Sequence, residues 1–149
     1  MKHKEWEPIM FDQSLIGSVS GPQTFEITPA AVAQFIAATG DVARENVLRD
    51  PSYVPLTFPT TFRVAQASLG LDGSKMQLIH GEQEYQYARP LRVGEKLSCI
   101  NRIIDIREKS GRSGSMTFIT SEVEGRDEQG EMAFSGRSTL IVRPKKAEV

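Results

Sequence analysis

Cysteine is nearly missing from this 149-residue chain. Cys99 stands alone, which excludes an internal disulfide and any zinc site built on several cysteines. Histidine is almost as scarce: His3 and His80 are the two in the sequence. Neither sign of charge is in excess, with 18 Lys plus Arg against 19 Asp plus Glu. That balance argues against a nucleic-acid surface and against an acidic solvating tail. No stretch is apolar and long enough to span a membrane, and no signal-like segment opens the chain. The expectation is a cytoplasmic protein acting on neither nucleic acid nor membrane, with no metal or cofactor. A domain of this length buries roughly 68–70% of its unfolded surface, so it folds without metal or disulfide staples.

What is present reads as one domain over residues 11–144, with a polar arm at 1–10 and a frayed tail at 145–149. His3 belongs to that arm and reads as solvated surface. "QTFEI" (23–27) reads as a short strand. Thr28-Pro29 then supplies a capping hydroxyl and a proline for the first helical position. Val32, Phe35 and Ile36 make one apolar stripe, and Gly40 closes the helix, which is placed at 29–39. Residues 41–59 read as a long loop of the kind that is usually functional or mobile. Phe62, Ala65, Leu69 and Gly70 suggest a second short helix over 60–70. From residue 76 the period turns to two. Gln83, Tyr85 and Tyr87 share one face of a strand. A second strand runs over 95–108, with its alternation slipping near Cys99-Ile100, which suggests a bulge. Strands at 115–125 and 132–144 follow across tight turns, giving an antiparallel meander. The expected fold is α+β: a twisted antiparallel sheet whose apolar face is covered by helix 29–39, the segment apolar and long enough to do so.

That order, with the stretches "FIAATGD" (35–41), "HGEQEYQYARPLRVGEKL" (80–97) and the closing strand around Gly136, resembles the hot-dog fold of the MaoC-like dehydratases and R-specific enoyl-CoA hydratases. The resemblance covers residues 8–143. It implies water addition to, or loss from, a double bond beside a thioester carbonyl. In that family a Gly-Asp-x-Asn-Pro-aliphatic-His motif supplies the proton-exchanging Asp and His, and a main-chain N–H polarises the thioester oxygen. The match here holds at Gly40 and Asp41 and then departs: Ala43, Arg44 and Asn46 stand where Asn, Pro and His are expected. An Asn amide does not titrate, whereas His does near ~6.5. No His lies between 41 and 79, so this loop cannot build the usual dyad.

Two residues remain for acid–base work. Asp41 follows a helix cap, at the unfavourable end of the helix dipole; the alternative is a solvated carboxylate. His80 is the one His outside the arm; the alternative is a His bonded to backbone. Gly40, Asn46 and Gly81 are assigned to substrate binding. Arg44, Arg49, Arg63 and Arg89 are candidates for the phosphates of coenzyme A or a phosphopantetheine arm; the alternative for each is a surface charge. Cys99 reads as core and not as a nucleophile, and Tyr85 and Tyr87 as packing. The resemblance implies a dehydratase/hydratase subunit binding an acyl-CoA or acyl-carrier thioester, paired as a homodimer or with a second hot-dog subunit. Keeping Gly-Asp while lacking His suits the acyl-binding half. A non-enzymatic acyl-thioester binding protein and an acyl-CoA thioesterase of the same fold stay open beside it.

Overall fold

A computed structural model describes residues 11–40, 49–66, 68–112 and 114–145. Its centre is a five-stranded antiparallel sheet of β1 (Val19–Glu26), β2 (Met76–Tyr87), β3 (Lys96–Gly111), β4 (Gly114–Arg126) and β5 (Met132–Pro144), in the order β1-β3-β4-β5-β2. Tight turns join β3 to β4 and β4 to β5, so the predicted meander is the middle of the sheet. β1 and β2 are the edges.

Helix α1 (Pro29–Thr39) has the expected limits for the expected reasons. The Thr28 hydroxyl accepts a hydrogen bond from the Ala31 N–H at 3.1 Å, and Pro29 occupies the first turn. Gly40 closes the helix with φ 63°, a left-handed conformation that suits a residue without Cβ. Val32 is buried, and Phe35 and Ile36 pack against the same cluster, which includes Leu97, Cys99 and Phe134 of the sheet. Helix on sheet is thus the hot-dog arrangement.

Three expectations at the level of elements need correction. β1 begins at Val19 and is longer than 23–27. The bulge expected at Cys99-Ile100 resolves into two features. The extra residues opposite Ile100 belong to β1, where Gly21 and Pro22 interrupt the pairing between Ser20 and Gln23. A Cβ on Gly21 would stand 2.8 Å from the Cys99 carbonyl oxygen, so the close approach requires glycine. The bulge of β3 itself comes later, with Ile104 extra between Ile103 and Asp105.

The third correction is the helix expected at 60–70. A single 3-10 turn, Phe58–Thr61, stands there, and no helix follows among the described residues. The reason lies in where the apolar side chains go. Phe62 packs in the first cluster, with Phe25 stacked on it at 5.0 Å between ring centres. Leu69 packs in a second cluster around Ile103, Ile106, Ile119 and Val142. Seven residues of α-helix advance only about 10 Å and would place both side chains on one stripe. The chain instead runs as a strap from one cluster to the other, and Gln23 Oε1 accepts a hydrogen bond from the Ala65 N–H.

The sheet's other face is polar. Arg137 pairs with Glu122 at 2.9 Å and Arg102 with Glu124 at 3.8 Å, as expected where one face is packed and one is solvated.

Candidate functional site

Antiparallel partners share a face, so the register sorts the inner surface into rows across β3, β4, β5 and β2. Cys99, Gly125, Phe134 and Tyr87 make one row. Asn101, Val123, Gly136 and Tyr85 make the next, followed by Ile103, Ser121, Ser138 and Gln83. Ile106, Ile119, Leu140 and His80 come after these. The first row belongs to one hydrophobic cluster and the last to the other. Between them lies a mixed band, in which Asn101, Ser121, Ser138 and Gln83 stand beside Val123, Tyr85 and Ile103.

A cavity of about 150 Å³ sits on this band, roofed by the strap at Phe62–Gln66 and floored by Asn101, Val123, Gly136 and Ser138. The floor is held by small contacts: Ser121 and Ser138 hydroxyls lie 3.2 Å apart, and Gln66 Nε2 donates to Ser121 Oγ at 3.4 Å. Gln83 Nε2 donates to the Arg137 carbonyl at 3.2 Å. Asn101 is 5% exposed, and its Oδ1 has no hydrogen-bond partner among the described residues. Such an orphan costs about 1–3 kcal/mol, so the site holds a polar group it does not itself satisfy. Tyr85 forms part of the wall; burial pushes its phenol up to about 12, so it stays a neutral donor. Burial, and then the neighbouring Tyr85, raise the Tyr87 phenol as well, and its hydroxyl donates to the Leu56 carbonyl.

The residues expected to act fall into three groups. Asp41 and Asn46 lie outside the described residues, as does Arg44. Gly40 is the helix cap, with open space where a Cβ would be. His80 is solvent-exposed on edge strand β2, on the inner face, two rows from Asn101 and outside the cavity lining. Gly81 is the extra residue of a bulge between His80 and Glu82; a Cβ there would meet the Ile141 side chain at 2.9 Å. Among the described residues, neither His80 nor Gly81 lines this cavity.

Of the arginines, Arg63 is exposed and lines the cavity. Arg89 is committed elsewhere: its guanidinium pairs with Glu95 at 2.6 Å and Asp127 at 3.1 Å, tying the β4–β5 turn to the loop before β3. Cys99 is fully buried, and burial pushes its thiol up to about 11, which makes it a poor nucleophile. No group of three or more His, Cys, Asp or Glu among the described residues is placed to hold a metal ion. No helix among them is long and apolar enough to cross a membrane.

Asn101, Ser138 and Gln66 were missed by reasoning from the sequence. The available signal was the position of Asn101, two residues from Cys99 and two from Ile103 on an inward-facing row.

Residues 14–135 match the family model of the FAS1-like dehydratase domain region. A UPF0336 protein of Streptomyces coelicolor is 30% identical, over 89% of this chain and 95% of that one. A UPF0336 protein of Saccharopolyspora erythraea is 29% identical, over 89% and 91%. Among solved structures, a MaoC-like dehydratase superposes with a TM-score of 0.67 at 18% identity, over 86% of this chain and 42% of that one. The HadBC (3R)-hydroxyacyl-ACP dehydratase complex of Mycobacterium tuberculosis superposes at 0.63 and 20% identity, over 85% and 96%. The ChsH1–ChsH2 complex of the same organism does so at 0.63 and 15%, over 87% and 85%. The chain therefore belongs to the FAS1-like dehydratase-domain family and carries the hot-dog fold of the MaoC-like dehydratases.

Proposed function

We propose that this chain is the acyl-thioester-binding subunit of a MaoC-like (3R)-hydroxyacyl thioester dehydratase/enoyl-CoA hydratase, completed by a second hot-dog subunit that carries the Asp–His dyad. One observation carries this reading: the cavity under the 62–66 strap is lined by side chains that bind but do not exchange protons near neutral pH, and no His occurs from 41 to 79. The division of labour follows from chemistry. Hydration needs a titrating pair to take a proton from water and deliver one to carbon. This chain contributes the cavity, with Arg63 beside it to meet an anionic carrier. Two fold neighbours, HadBC and ChsH1–ChsH2, are complexes, which fits a hot-dog partner here. The reaction uses no cofactor and no metal, and the protein works in the cytoplasm.

A second reading is favoured by one placement. His80 is exposed on the inner face of an edge strand, where a second copy docking at that edge would meet it. A homodimer using Asp41 and His80 would then be active by itself.

Crotonyl-CoA separates these. The purified chain alone is expected to leave the enoyl absorbance unchanged, and to gain hydration only on co-purification with a dyad-bearing hot-dog protein. Hydration by the lone chain that His80→Ala abolishes would establish the homodimer instead. Release of free thiol would make the protein a thioesterase and end both readings.

A further inference from the structure

The outer face of the sheet is of two kinds. Over one half it is built of ion pairs: Arg137 with Glu122, and Arg102 and Arg126 with Glu124. Asp105, Thr120, Thr139 and Glu82 make a border row. Beyond it, towards the β3–β4 turn, the carboxylates stop. Arg107, Phe118, Ile141 and Ile79 form the next row. After them come Lys109 opposite Met116, and Arg143 opposite Gln77. Lys75 and Lys145 stand at the end, joined by a 2.8 Å backbone hydrogen bond.

This end has an apolar centre and a cationic rim. Phe118, Ile141, Ile79 and Met116 are partly buried, whereas the five cations are exposed. Lys109 lies 5.1 Å from the centre of the Phe118 ring. Two carboxylates answer the five cations: Asp105 pairs with Arg107 at 3.0 Å, and Asp72 stands close enough to Lys75 and Lys145 to feel both charges. Five less two leaves three positive charges, in a chain whose formal net charge is -1. The even composition that argues against a membrane partner averages over this segregation.

Three properties narrow the occupant. A second copy docking face to face would set cation against cation. The patch spans four strands about 4.8 Å apart and roughly 14 Å along them, on the order of 200 Å². A stable protein interface needs about 800 Å² from each partner. A bilayer surface sets no such minimum: long basic side chains reach its phosphates while apolar ones between them meet the acyl boundary. We propose that this end of the sheet's outer face docks on an anionic lipid surface. The cavity, on the inner face, stays open to solvent when it does. The proposal is independent of the thioester reading.

The test is co-sedimentation of the full chain with vesicles of phosphatidylcholine alone and with 30% phosphatidylglycerol, in 0.15 M salt. Each cation near such a surface is worth about fivefold in affinity. Three net charges therefore predict about a hundredfold preference for the anionic vesicles, lost in 0.5 M salt. The triple variant Lys109→Gln, Arg143→Gln, Lys145→Gln should bind both vesicles alike. Arg102→Gln, Arg126→Gln, Arg137→Gln removes the same charge from the ion-paired half and should keep most of the preference. The wild-type comparison stands by itself if a variant does not fold. Equal sedimentation with the two vesicles, or with neither, would overturn the proposal. Equal losses in the two variants would also overturn it, since net charge and not this face would then govern binding. Binding to polyglutamate without binding to anionic vesicles would replace the lipid surface by an acidic protein.

Discussion

Gly136 is a place where the fold and the cavity press on each other. It lies opposite Tyr85 on β2 and Val123 on β4, and Tyr85 folds its ring over the bare backbone. A methyl at 136 would stand 2.7 and 2.9 Å from two ring carbons, whereas ordinary contact begins at 3.4 Å. In Gly136→Ala the ring must therefore retreat by about 0.7 Å. It cannot do so freely, because Tyr87 and Phe134 lie 6.3 and 6.4 Å from it, centre to centre. Overpacking of this kind costs about 1–3 kcal/mol, offset in part by the roughly 0.5–1 kcal/mol gained when glycine leaves a strand. In a domain of this size each kcal/mol moves Tm by roughly 2–4 °C. Gly136→Ala should therefore melt several degrees lower. The clash is with one side chain, so Tyr85→Ala should remove it. In that background Gly136→Ala should cost nothing or stabilise slightly, a coupling of about 1 kcal/mol or more across the double-mutant cycle. Urea unfolding of the four proteins measures it. An equal cost of Gly136→Ala in both backgrounds would refute the account, because the methyl would then be felt by something other than the ring.

Three further outcomes are expected. The Cys99 thiol ionises at 9.0 in the absence of burial and at about 11 in the folded chain, so the native state keeps a proton that the unfolded chain loses. Stability should be unaffected by this group below pH 9 and fall by about 2–3 kcal/mol as pH rises from 9 to 11. Cys99→Ala should flatten that slope, and a slope unchanged between the two proteins would contradict the burial argument. Asn101→Leu replaces an orphaned amide by an apolar side chain and should stabilise the unliganded chain by about 1–3 kcal/mol, read as a higher Tm; a lower Tm would mean the amide is satisfied. Arg63→Ala should weaken hexanoyl-CoA binding roughly two- to fivefold, as an exposed ion pair warrants. It should leave hexanoyl-pantetheine unchanged, and equal losses would place Arg63 on the acyl or pantetheine part instead.

The elements with local signals were legible in the sequence. Thr28, Pro29 and Gly40 fixed both ends of α1 by chemistry that needs no distant partner. The β3–β4–β5 meander followed from period two and short turns. The 60–70 segment was misread because its spacing is helical while its destinations are not. Phe62 and Leu69 are drawn to separate hydrophobic clusters, and tertiary burial outweighs local periodicity over so short a stretch.

The candidate site was less legible, and Asn101 shows why. If inward positions are assumed apolar, the row Leu97, Cys99, Asn101, Ile103 appears broken, and Ile100 looks like the inward residue of a slipped register. If Asn101 is counted as inward, the alternation runs unbroken from 97 to 103, as the burial of these four residues does. The false slip and the missed cavity residue were one error. A strand that keeps its period while placing one amide on its buried face accepts a cost that a leucine would avoid. Among the described residues folding supplies no compensation for that cost, since Oδ1 finds no partner there. The compensation must come from whatever enters the cavity, which is why a single polar interruption in an apolar row points to ligand chemistry more directly than His80, whose exposure alone would account for its polarity.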